Sequence, residues 1–331
     1  MSVRVGLVLG AGGTVGQAYQ AGVLAALEQA TGWDPRQADR VVGTSAGSIT
    51  ATLLRLGVPT SDIVAYILDR PPTSPAGIAV REQVGRDRPA FPPMGFREAL
   101  RPWRLPSPRL VGRIARRPWA FRPGVAAVTL LPPGLINIQQ HADPLDALTD
   151  GGWPEHLWLC VARRTDGGRV VFGRPGSPPA PLAAAVAASC AIPGYFEPVT
   201  IGGVEYFDGG VHSSTNADVL RTEQLDLVLV VASMSAAGGL ARSADGAIRY
   251  ATHRRLDREV ARLRRGGTTV IRIEPGRRSV AAMGINAMAE GRSTEVLDTA
   301  FHETVRYLGR TPIADRLAPI AHHPAAPANR S

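Results

Sequence analysis

Asp39-Arg40-Val41-Val42-Gly43-Thr44-Ser45-Ala46-Gly47 runs from a short β-branched segment into a serine bracketed by glycines. The segment 39–43 predicts a strand. The residues after Ser45 predict a helix ending near Gly57, with Pro59 beyond it as a stop signal. A G-x-S-x-G between strand and helix suits a nucleophile elbow. The glycines permit the tight turn, and the serine hydroxyl is exposed above the sheet edge at a helix N-terminus.

The same strand, turn and helix occur once more upstream. Arg4 to Leu9 reads as a buried strand that stops at Gly10-Ala11-Gly12-Gly13. A helix is expected from about Gly16 to Ala30. Tyr19, Val23 and Leu27 fall on one face, while Ala18, Ala21, Gly22 and Ala25 allow close approach to a sheet. Two such units in succession predict an α/β fold with a parallel sheet.

Downstream, periodicity breaks down from Pro71 to Pro133 under many Pro and Arg residues, which predicts an inserted cap carrying only short helices. Strands are expected again near 156–163 and 169–172, then an Ala-rich helix over 181–190. A hairpin of 199–201 with 204–207 should lead into Asp208-Gly209-Gly210. Strands at 226–233 and 268–273 should flank a helix over 245–265. There is no internal repeat. The expected organisation is one hydrolase domain over 1–317, a cap at about 71–135 and a flexible Pro- and Ala-rich tail at 318–331.

The chain has 331 residues, 44% hydrophobic and 20% charged, enough for a large buried core and far from disordered composition. Its 37 basic residues are all arginine and exceed the 28 acidic ones, leaving a net charge of +9. That charge suits an anionic surface, although biased use of arginine is the simpler explanation; no nucleic-acid partner is expected. Cys160 and Cys190, both in apolar surroundings, suggest packing in a reducing compartment rather than a disulfide framework. The N-terminus lacks signal-peptide character, and no apolar run reaches the roughly 18 residues a spanning helix needs. The expected location is the cytoplasm, at most at a membrane surface.

A hydroxyl nucleophile requires a base and a place for the oxyanion. The loop Gly10 to Gly16 can supply the second, because glycines let backbone N–H groups face an anion at a helix start. Its G-x-G spacing also fits a dinucleotide fingerprint, but that requires an acidic residue at the end of the second strand, where Gly43-Thr44-Ser45 stands instead. Among the seven histidines, only His212 lies near another candidate base. That candidate is Asp208, at a strand end before two glycines. A free aspartate, with a pKa of about 3.9, is a weak base; desolvation would strengthen it, and a hydrogen bond to Ser45 would orient it.

Taken together, these blocks make the chain resemble the patatin-like phospholipases, bacterial members in particular. The matching blocks are Leu9 to Gly16 with the following Ala18 to Leu24, then Gly43 to Gly47, Ala188-Ser189-Cys190-Ala191-Ile192-Pro193, and Asp208-Gly209-Gly210. The resemblance implies a three-layer α/β/α fold, lipid acyl hydrolysis by a Ser–Asp dyad without histidine, and neither metal nor cofactor. It gives Ser45 and Asp208 the dyad roles, and Gly12 and Gly13 the oxyanion hole. The loop departs from the family's G-G-G-x-[RK]-G, with Ala11 at the first glycine and Val15 at the basic position.

Two alternatives remain open in the sequence. An acyltransferase would use the same serine, but typically carries histidine where Thr44 stands. A membrane-surface protein with a weakened site would account for Val15 and a basic cap. Within the cap, Ser107 and Pro108 resemble a helix start. Arg109, Arg113, Arg116 and Arg117 would then share one face, and Leu110, Val111, Ile114 and Ala115 the other. Such a helix suits peripheral contact with an anionic membrane.

Overall fold

The computed structural model describes residues 3–85, 108–116, 134–236 and 244–321. Its strands are β1 (Val5–Leu9), β2 (Arg40–Gly43), β3 (Leu157–Arg163), β4 (Arg169–Phe172), β5 (Val199–Ile201), β6 (Val204–Asp208), β7 (Leu227–Val231) and β8 (Thr269–Ile273). The helices are α1 (Gly13–Thr31), α2 (Ala46–Arg55), α3 (Thr60–Ile67), α4 (Pro75–Val84), α5 (Pro108–Arg116), α6 (Gln139–Ala142), α7 (Leu182–Cys190), α8 (Ala244–Arg265), α9 (Arg277–Met283), α10 (Ser293–Leu308) and α11 (Thr311–Leu317).

All eight strands join one sheet. Strands β3, β2, β1, β7 and β8 pair in that order and run parallel; the β5–β6 hairpin and β4 are antiparallel additions at β3. The central strands are apolar throughout because both faces are covered, as parallel sheets require. Side chains alternate between two cores. Leu7, Leu9, Leu157, Leu159, Leu229 and Ile271 face α1, α2, α3, α7 and α10. Val8, Trp158, Cys160, Val228 and Val270 face α8 and the 3-10 segment Ala217–Thr222. The result is the expected α/β/α layering.

The register along β3 positions the site. Leu159 pairs with Gly43 of β2 and with Phe172 of β4, so β2 and β4 occupy opposite edges. Val161 pairs with Asp208 of β6 and with Val170 of β4, so β6 also lies opposite β4. Strands β2 and β6 therefore follow each other along one edge of β3, running in opposite directions with their C-terminal ends facing. The turns after Gly43 and at Asp208 are delivered to the same place.

Several elements differ from the sequence expectation. Helix α1 begins at Gly13, because the Gly12 carbonyl already accepts the Gly16 N–H at 2.9 Å; the last glycines of the expected loop are the helix's first turn. Gly22 makes room for α10 rather than the sheet, since a Cβ there would lie 2.3 Å from the Leu297 carbonyl oxygen. Helices α3, α9 and α11 add to the elements that the sequence predicts. Of the expected cap, α4 and α5 are described; residues 86–107 and 117–133 lie outside the described residues, and with them Ser107 and Arg117. At the other end Ile320, 4% exposed, packs into the core past position 317, and residues 322–331 lie outside the described residues.

Candidate active site

Ser45 sits at the junction of β2 and α2 with φ 55° and ψ −126°, a left-handed backbone that costs a non-glycine residue of order 1–3 kcal/mol. The surroundings enforce it. A Cβ at Gly43 would lie 2.6 Å from Ser48 Cα, and one at Gly47 would lie 2.0 Å from the Leu9 carbonyl oxygen. Only glycine permits that approach. The Ser45 N–H donates to Ser189 Oγ at 3.0 Å, and Ser189 Oγ in turn donates to the Cys160 carbonyl at 2.9 Å. The Ser45 carbonyl accepts from Ser48 N–H and Ser48 Oγ at 2.7 and 2.6 Å. The backbone of Ser45 is thus saturated, and its hydroxyl is left for other work.

That hydroxyl neighbours the Asp208 carboxylate. Asp208 is 5% exposed, and burial pushes its carboxyl from the usual 3.8 up to about 6, against the opposing influence of the Ser45 hydroxyl and the Gly210 N–H. The Gly210 bond, 2.6 Å to Oδ1, holds the carboxylate in place. Gly209 must be glycine because a Cβ would lie 2.2 Å from the Cys160 carbonyl oxygen. His212 follows in the same turn, donating its N–H to the Gly209 carbonyl, but it is not among the groups that set the Asp208 carboxyl.

Asn216 joins the two turns. From a left-handed backbone (φ 53°), its Nδ2 donates to Thr44 Oγ1 at 3.2 Å, the Gly209 carbonyl at 3.3 Å and the Ser213 carbonyl at 2.7 Å. Behind it, the fully buried Glu259 accepts from Thr215 Oγ1 and the Ala217 N–H.

The glycine loop abuts both turns: Thr44 N–H donates to the Leu9 carbonyl at 3.1 Å, and a Cβ at Gly210 would lie 3.4 Å from Ala11 Cβ. Among the described residues, no acceptor is paired with the Gly12 and Gly13 N–H groups, which lie at the positive end of α1. Gly13 has φ +61°, and a Cβ on it would lie 2.5 Å from the Ala287 carbonyl oxygen.

The loop is anchored without a basic residue. Ala11 N–H donates to the Ser214 carbonyl at 2.7 Å, and the Ala11 carbonyl accepts from Ser233 Oγ at 2.6 Å. The Ala287 carbonyl takes Val15 N–H and Thr14 Oγ1, each at 3.2 Å, and Gln20 Nε2 holds the Gly10 carbonyl at 2.5 Å. Val15 is buried, filling core where the family pattern has a charge.

Ser45, Asp208 and the loop of Gly12 and Gly13 therefore converge on one spot from separate parts of the chain. Of the supporting residues, Ser189 and Gln20 lie in quoted blocks without a role assigned to them, and Ser233 and Asn216 gave no sequence signal. Burial pushes the Cys160 and Cys190 thiols to about 12, so both are inert packing residues. Among the described residues no three His, Cys, Asp or Glu side chains form a metal cluster, and no helix is long and apolar enough to cross a membrane.

Residues 7–221 match the model of a family described as patatin-like phospholipase. No curated protein matches the chain. Among solved structures, VipD from Legionella pneumophila is 15% identical, with a TM-score of 0.44, over 93% of this chain and 67% of that one. The heterodimeric complex ExoU–SpcU from the type III secretion system of Pseudomonas aeruginosa is 19% identical, with a TM-score of 0.36, over 96% of this chain. This chain spans about half of that one, 52%.

Proposed function

The chain belongs to the patatin-like phospholipase family, and from that premise we propose that it hydrolyses carboxylic esters of lipids, of phospholipase A or lysophospholipase type, through Ser45 and Asp208. The observation that carries this reading is the meeting of the Ser45 and Asp208 turns at the facing ends of β2 and β6, with Asp208 buried and its basicity raised by that burial. A base with a pKa near 6 is ionised at neutral pH yet accepts a proton more readily than a free aspartate.

In the proposed reaction the ester carbonyl oxygen faces the Gly12 and Gly13 N–H groups. Asp208 takes the Ser45 proton as Oγ attacks the carbonyl carbon, and the two N–H groups and the start of α1 stabilise the oxyanion. The intermediate collapses to an acyl-enzyme on Ser45, and the alcohol leaves with the proton from Asp208. Water, deprotonated by the same carboxylate, attacks the acyl carbon, releases the fatty acid and returns the proton to Ser45. The domain that does this spans about 1–317, with the cap at about 71–135 as its insertion. Peripheral contact with an anionic membrane through that cap would bring substrate to it.

Incubating the purified protein with a short-chain nitrophenyl ester tests the reading. Turnover that Ser45→Ala abolishes while the fold is retained is the expected result. Wild-type turnover by a folded Ser45→Ala protein would refute it.

A further inference from the structure

Between α2, α3, α4 and α7 lies a cavity of about 180 Å³. Its wall includes Ile49 and Leu53 of α2, Ile63 of α3, Val80 of α4, and Val186 and Cys190 of α7. One end adjoins the site. Ile49 lies in the first turn of α2, four residues after Ser45. Cys190 adjoins Ser189, the partner of the Ser45 N–H, and its Sγ lies 3.5 Å from Ser48 Oγ. From there the wall recedes: Leu53 lies one turn beyond Ile49 on α2, and Val186 one turn before Cys190 on α7.

The wall is mostly apolar and so suited to hydrocarbon, with Tyr66, Asp69, Arg70, Arg81 and His141 also lining it. Burial keeps the Cys190 thiol protonated. Asp62 also reaches the wall, but its oxygens accept from the N–H and hydroxyl groups of both Thr73 and Ser74. Those hydrogen bonds outweigh burial and hold its carboxyl below the ordinary value.

An ester seated with its carbonyl oxygen at Gly12 and Gly13 must send its acyl chain elsewhere, and the wall of this cavity begins at Ile49, four residues from the nucleophile. We propose that the cavity is the acyl-chain site and that its volume selects chains of about six to eight carbons. The size follows from comparison with an apolar cavity of about 150 Å³, which holds one benzene molecule. Longer tails have to leave the cavity. The assignment rests on the hydrolase reading above.

To test it, kcat/KM is measured on the nitrophenyl esters of acetate, butyrate, octanoate and laurate for the wild type, Leu53→Phe and Val80→Trp. Calorimetric binding of free octanoate is measured in parallel. A buried methylene is worth about fourfold. The wild type should therefore gain about tenfold or more from acetate to octanoate and nothing further at laurate. Each filled variant should keep acetate hydrolysis within about twofold while losing about tenfold or more on octanoate, together with octanoate binding. Val80, half-buried on α4, provides a second variant should Leu53→Phe fail to fold. An unchanged chain-length profile with undiminished octanoate binding in a folded variant overturns the assignment. So does an equal loss on acetate and octanoate, which marks the residues as supports of the whole site. If the wild type hydrolyses none of the esters, the hydrolase reading fails; octanoate binding abolished in both variants would still establish the cavity as an acyl site.

Discussion

At the level of single residues, the pH dependence should come from Asp208. Its proton binds more tightly in the folded chain than in the unfolded one, with a pKa of about 6 against 3.8. The base is competent only when ionised, so kcat/KM should fall tenfold per pH unit below an apparent pKa of about 6. The stability consequence has the opposite sense. The raised carboxyl favours the native state fully below about 3.8, and that advantage is lost as pH rises through 6, amounting to about 3 kcal/mol at most. Asp208→Asn should therefore cost orders of magnitude in kcat/KM yet raise Tm by a few degrees at pH 8, with little change at pH 4; thermal scans and initial rates check both. His212→Ala should lose much less, and a larger loss there would point to an imidazole base. Ser45 and Asp208 were legible in sequence because the glycines around them announce turns. Ser189 and Asn216 were not, since their hydrogen bonds to the Ser45 N–H and Thr44 Oγ1 join positions 144 and 172 residues apart.

At the level of elements, the proposed catalysis depends on β2 and β6 meeting end to end along β3. Alternation and turn residues identified both strands, but pairing order is a long-range property that periodicity does not contain. Helix α3 was missed for a related reason: its Pro59 was read as the stop of α2, whereas it also precedes the first turn of a new helix. Asn216 is the side chain that bonds both strand ends. Asn216→Ala removes four hydrogen bonds, three donated by Nδ2 and one accepted by Oδ1 from Arg169, and leaves an alanine at φ 53°, so a loss of about 2–4 kcal/mol is expected by denaturant unfolding. The turns it joins should loosen, lowering kcat more than it raises KM. Full activity in a destabilised Asn216→Ala protein would mean that the strand ends hold register through β3 alone.

At the level of the whole molecule, the sheet and its two helical layers organise the site, while the arginine-rich cap is a candidate for contact with lipid. Eight arginines and one acidic residue lie between Phe96 and Pro123, and in α5 Arg109 and Arg116 are exposed, as is Val111 at 51%. On an anionic surface each arginine contributes on the order of 1 kcal/mol. Replacing Arg109, Arg113, Arg116 and Arg117 by Gln should therefore release the protein from anionic vesicles in sedimentation while leaving soluble-ester hydrolysis intact. Vesicle binding that survives the replacement excludes the interfacial role. A parallel fall in soluble-ester hydrolysis would instead assign the segment to supporting the fold. Hydrolysis itself rests on the serine–aspartate pair. The most direct measurement of that pair is the site and rate of covalent labelling by a lipid-like organophosphonate, followed by peptide mass mapping. The expected result is a single adduct on Ser45, formed orders of magnitude more slowly in Asp208→Asn. An adduct on another residue, or an undiminished rate in Asp208→Asn, would contradict it.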